Sequence, residues 1–150
     1  MIIVNIIAFV IAWFIAVTAM SCFSAIWSYV AKVEFREHIL LTKILVKSQI
    51  HKSNKKYNWI LGWVLHITVG AIFLGLYELL WMFTGFNRTV LWSLVFGTIL
   101  GFLGITGWII VFKFLQSPPK LNYLHFYIHL YFAHLVFSVV AFLVYTSYQL

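Results

Sequence analysis

Four long apolar stretches cover nearly the whole of this 150-residue chain, at about residues 2–31, 57–83, 90–114 and 121–148. A helix needs about 20 predominantly apolar residues to cross the hydrocarbon core of a bilayer, and each stretch exceeds that length. Mean hydropathy is +1.02, and 64% of residues are hydrophobic against 9% charged. No soluble domain of this size can hide so much apolar surface in one core. The expected fold is therefore all-α and integral to a membrane. It is a single domain over residues 1–150, built as a four-helix antiparallel bundle with spans two and four near its centre.

The distribution of charge predicts how such a chain lies in the bilayer. Seven of the ten basic residues fall in the first connection: Lys32, Arg36, Lys43, Lys47, Lys52, Lys55 and Lys56. The second connection carries Arg88; the third carries Lys113 and Lys120. By the positive-inside rule the first and third connections are cytoplasmic and both termini face outward. The expected location is a bacterial inner membrane, and the positive charge calls for no nucleic-acid partner. The lone Cys22 lies inside the first span and cannot form an intrachain disulfide.

Between spans one and two, Lys32, Arg36, Lys43 and Lys47 fall on one arc at helical spacing, with Val33, Leu40 and Ile44 on another. The pattern predicts a cytoplasmic basic amphipathic helix lying on the membrane surface. Residues 48–58 then read as a polar turn into span two. In span two Gly62, His66 and Gly70 share one face, and Ala71, Gly75 and Glu78 lie roughly opposite, which predicts neighbours on both sides. In span three Ser93, Gly97, Gly101 and Gly104 form a small-residue stripe of the kind that lets helices approach closely, within the bundle or between two copies. Pro118-Pro119 ends that helix and makes spans three and four neighbours. Trp27, Trp59, Trp81 and Trp92 read as interfacial anchors.

Ionisable side chains inside a span are costly and mark candidate sites. His66 and His129 lie at equal expected depth, about 12 Å from the cytoplasmic edge at 1.5 Å per residue. Two histidines so placed could hold a b-type haem, with Gly62 and Gly70 leaving room beside His66. His125 and His129, one turn apart, are the candidate metal pair. Glu78, near the outer end of span two, is expected to pair with Arg88. The chain has no phosphate-binding glycine loop, nucleophile elbow, Cys-x-x-Cys or aspartate, so catalysis of the kinds found in soluble enzymes is not expected.

His66-x-x-x-Gly70 in one span and His134-Leu135-Val136-Phe137 in another resemble small four-span bacterial integral membrane proteins of unassigned function. The resemblance covers spans two to four and implies a compact four-helix membrane domain. Size, basic pI and span number are also similar to the membrane-bound glutathione and eicosanoid enzymes. Span two offers Glu78 and no arginine where that family carries both, so its thiolate chemistry does not carry over. Three function classes follow. The first is a non-catalytic subunit or accessory partner of another membrane protein, docking through the glycine stripe or the basic hinge. The second is a haem- or metal-binding protein using His66 and His129. The third is a small transporter or lipid-binding protein with a cavity beside the polar faces of span four.

Overall fold

The computed structural model describes residues 2–47, 55–115 and 118–147. Five helices follow in order: α1 (Ile2–Ala31), α2 (Glu37–Lys47), α3 (Lys55–Thr84), α4 (Val90–Phe114) and α5 (Tyr123–Ser147). Four of them are long and apolar enough to cross a membrane, over Ile6–Ala31, Lys56–Thr84, Val90–Phe114 and Tyr123–Ser147. Their outward surfaces are apolar as well. Phe14, Ile26, Phe102 and Phe114 are all more than half exposed, which suits lipid as the surrounding solvent. The polar turn expected at 48–58 lies mostly outside the described residues, as do His51, Lys52 and Ser117.

Local chemistry sets the helix ends. At the end of α1 the Val33 amide bonds the Ser28 carbonyl at 3.2 Å and the Lys32 amide bonds that of Tyr29 at 3.4 Å. Lys32 has φ +53°. This is the Schellman arrangement, which requires a left-handed residue just past the helix. Gly85, at φ +62°, closes α3 in the same hand. Thr89 caps α4 by accepting from the Trp92 amide at 3.3 Å. Asn122 caps α5 by accepting from the His125 amide at 3.1 Å, after Pro118-Pro119 has excluded helix upstream. Side-chain oxygens satisfy amides that have no partner in the first turn.

α5 packs against both α1 and α4, and its buried residues run its full length from Phe126 to Tyr145. On α1 the face turned inward is a row at every fourth residue, Ala8, Ala12, Ala16, Met20 and Ser24, each buried. Alanines there let α1 approach closely, and the row ends on a hydroxyl. On α4 the stripe Ser93, Gly97, Gly101 and Gly104 is buried against α5. A Cβ at Gly97 would lie 2.8 Å from that of Ser138, and one at Gly104 would lie 2.6 Å from the His134 ring. The Ser138 hydroxyl donates to the Ser93 carbonyl across the same contact.

Three expectations differ from this arrangement. Span two is not central: α3 packs chiefly on α2, touches α1 and α4 lightly, and leaves Gly75 facing open space. Nor does the hinge form one surface helix from Lys32. The left-handed Lys32 ends α1, residues 33–36 are non-helical, and α2 begins only at Glu37. Its first turn is tucked inward, with Phe35, Glu37, His38 and Leu40 all buried. The common arc of Lys32, Arg36, Lys43 and Lys47 therefore does not exist, because the first two precede the helix. Lys32 and Lys43 are exposed, Arg36 is ion-paired to Glu34 at 2.6 Å, and the Lys47 side chain lies outside the described residues. Trp81 also departs from an anchoring role; it is 5% exposed and packs edge-on to Phe96.

Candidate functional site

The inward turn of the hinge brings polar side chains from four elements to one level. The non-helical 33–36 segment is held by side chains: the Phe35 amide donates to the Ser28 hydroxyl at 3.0 Å and the Arg36 amide to Glu34 at 3.2 Å. It delivers Glu37 to Ser24, about 10 Å along α1 from the end at Ala31, counting seven residues of rise. Ser24 donates to Glu37 Oε1 at 3.1 Å and also lies 3.0 Å from His129 Nε2. Glu37, Ser24 and His129 thus form a hydrogen-bonded chain joining α2, α1 and α5. All three are at most 3% exposed.

One turn back on α1, Ser21 meets His66 Nε2 of α3 at 3.1 Å. The His66 ring lies 6.0 Å from that of His38, which stacks on Trp63 at 3.9 Å. His134 lies 5.0 Å from Phe73, and its Nδ1 is 2.8 Å from the Leu130 carbonyl. A carbonyl only accepts, so Nδ1 carries the proton and a neutral His134 keeps Nε2 as an acceptor.

A cavity of about 220 Å³ lies among these groups, lined by Glu37, His66 and His134 with Met20, Phe73 and Leu130. Val69 of α3 and Leu103 and Val111 of α4 also line it and are substantially exposed, so it opens on the outer surface where α3 and α4 barely touch. Glu37 is the one carboxyl group among its described lining residues. Burial raises the Glu37 carboxyl from its ordinary 4.5 to about 7, opposed by its own backbone amide and by the Ser24 bond, with the like charge of Glu34 adding a smaller push upward. Its Oε2 is buried and has no side-chain or main-chain hydrogen-bond partner from another residue among those described. A groove of about 350 Å³ lies on the other side of α1 and α3. It is lined by Trp13, Ser21, Cys22, Arg36, His38 and Trp63. Burial, aided by the Arg36 charge, lowers His38 from 6.5 to about 4, so the ring is neutral at physiological pH.

The candidate cofactor pair His66 and His129 is divided between two serines. Each Nε2 is engaged by a different hydroxyl of α1. His129 is stacked between Phe23, at 5.9 Å, and Phe35, at 5.6 Å. The candidate metal pair His125 and His129 does share the α1-facing side of α5. There His125 Nε2 accepts from the Trp27 indole at 3.1 Å. Among the described residues no group of three or more His, Cys, Asp or Glu is placed to hold a metal ion. The expected Glu78–Arg88 pair forms, at 2.9 Å, with the guanidinium 4.8 Å above the Tyr145 ring. Sequence reasoning did not find Glu37, His38, Ser21 or Ser24 as site residues. The available signal was the fourfold spacing Ala8-Ala12-Ala16-Met20-Ser24, which puts a hydroxyl on the buried face of α1.

No family model matches the chain, and neither a curated protein nor a solved structure matches it.

Proposed function

We propose that the protein is a small multi-pass membrane protein that binds a small membrane-soluble ligand in the cavity bounded by Glu37, His66 and His134. This is the transporter or lipid-binding class, and the reading is of binding rather than catalysis. The observation that carries it is Glu37, a carboxyl group 3% exposed with one oxygen that finds no partner among the other described residues. Such a group is costly to bury, and ionisable side chains at membrane depth are functional candidates by default. The exposed apolar mouth between α3 and α4 supports entry from the bilayer. At about 220 Å³ the cavity is smaller than the roughly 300–1,000 Å³ pockets that hold drug-sized ligands. The ligand is therefore small, or enters only by its head.

The accessory-subunit reading draws less support, because α5 covers the glycine stripe and α2 folds its first turn onto neighbouring helices. We further read the fold as an antiparallel bundle in a bacterial inner membrane. The basic connection between α1 and α3 is then cytoplasmic and both termini lie outside, on the positive-inside rule.

Two glycines supply the test. A Cβ at Gly107, which lines the cavity, or at Gly75, which does not, meets nothing within 4 Å. Photolabelling in the membrane with a short aliphatic diazirine alcohol should modify Met20 and Leu130, which are buried and reachable through the cavity. Gly107→Leu should remove those adducts and Gly75→Leu should keep them. Absent adducts, or adducts indifferent to Gly107→Leu, would overturn the reading.

A further inference from the structure

We infer that this cavity takes a lipophilic cation, an amine carrying a short apolar tail, and that the cation binds in exchange for the Glu37 proton. The inference rests on the reading of the cavity as a ligand site and specifies the chemistry of its occupant.

The polar groups on the cavity wall point to a donor. Glu37 Oε1 already accepts from Ser24, and Oε2 finds no partner among the other described residues. His134 has its Nδ1 committed to the Leu130 carbonyl, which leaves Nε2 to accept. An anionic head would oppose ionisation of Glu37, and a head that only accepts would leave His134 Nε2 unsatisfied whatever the protonation state of Glu37. An ammonium is a donor to acceptors of this kind and supplies the countercharge that a buried carboxylate requires.

Among the described residues no side chain supplies that countercharge. From the 33–36 segment Glu34 has the same sign as Glu37, and Arg36 is held by Glu34 at 2.6 Å and lines the groove on the far side. On its own helix His38 is stacked on Trp63. From α1 come Ser21 and Ser24, and from α4 the lining residues Leu103, Gly104, Gly107, Trp108 and Val111 carry no charge. From α3 comes His66 and from α5 come His129 and His134. These histidines offer positive charge only by taking up protons, and that would repel a cationic ligand. Glu37 and the histidines therefore act in the same direction, and acid disfavours the cation.

The exchange balances simply. Glu37 starts as the neutral acid, the alkylammonium enters with its charge, the O–H bond breaks, and one proton leaves to bulk water. The carboxylate and the ammonium remain as a pair, and the net charge of the site is unchanged. With the carboxyl at about 7, competition between proton and cation makes binding about thirtyfold weaker at pH 5.5 than at pH 8.5.

The experiment is calorimetric titration of hexylammonium, hexanol and hexanoate into the full-length protein in zwitterionic nanodiscs, with empty nanodiscs as reference. Wild type should bind hexylammonium most tightly, with that thirtyfold pH dependence. At pH 5.5, heats in two buffers of different ionisation enthalpy should give release of close to one proton, falling toward none at pH 8.5. Glu37→Gln should abolish both the pH dependence and the preference for the cation. Hexylammonium affinity that does not change with pH would overturn the inference. So would hexanoate or hexanol binding as tightly in wild type. The wild-type profile decides even where Glu37→Gln fails to fold. Hexanol binding that Gly107→Leu removes, with no cation binding, would sink the exchange alone. Failure of all three probes would sink the cavity reading with it.

Discussion

Replacing Glu37 by glutamine should change how the stability of the fold depends on pH, by an amount the structure sets. Burial raises the Glu37 carboxyl from 4.5 to about 7. The folded state thus holds the proton over a range where the unfolded chain has released it. A group raised in this way contributes stability fully below its unfolded value, and that contribution is lost as pH rises through the folded value. The window is pH 4.5 to 7. The rise from 4.5 to about 7 corresponds to about 3 kcal/mol, at about 1.4 kcal/mol for each tenfold change in proton affinity. His38 runs the other way. Burial lowers it to about 4, so its contribution is present above 6.5 and lost as pH falls toward 4. The profile of the wild type alone therefore mixes opposing effects. The difference between wild type and Glu37→Gln isolates the carboxyl, because glutamine keeps the size and an acceptor for Ser24. Near pH 4.5 the two proteins should be closest in stability relative to higher pH. By pH 8 glutamine should have gained about 3 kcal/mol on glutamate. Chemical unfolding in mild detergent at half-unit pH steps measures this. Parallel stability curves for the two proteins would refute the claim that Glu37 is buried without a countercharge.

Two further substitutions test the architecture. Gly97→Val should cost about 1–3 kcal/mol and broaden or split the unfolding transition, because its Cβ would sit 2.8 Å from that of Ser138, an atom fixed to the α5 backbone. Unfolding in detergent measures the loss, and wild-type stability would show that α4 and α5 do not meet there. Lys32→Gly should raise stability by about 1 kcal/mol, since Lys32 holds φ +53° beyond the end of α1. A lowered melting temperature would mean that the lysine side chain matters more than its backbone.

Much of this molecule was legible in its residues because lipid imposes so strong a rule. Long apolar runs must be helices, so the expected spans 2–31 and 90–114 coincide with α1 and α4. The glycine spacing of α4 was legible because it repeats at helical intervals, and the Glu78–Arg88 pairing because the two residues flank one short connection. The hinge was not. Its basic residues share an arc only if one helix runs unbroken from Lys32, and a single left-handed residue removes that condition. Periodicity cannot reveal such a residue when it is a lysine rather than a glycine.

Chain order and composition alone therefore determined that this protein is helical, where its long helices run, and that it suits a membrane. They did so because hydrogen bonding and solvation act on each segment separately. Tertiary structure alone decided which buried polar groups meet. Glu37 and His129 are 92 residues apart, and they come together through Ser24 because the alanine row of α1 seats that helix against α5 while the 33–36 segment turns α2 inward. That meeting depends on the relative placement of three helices, which no spacing within one of them records.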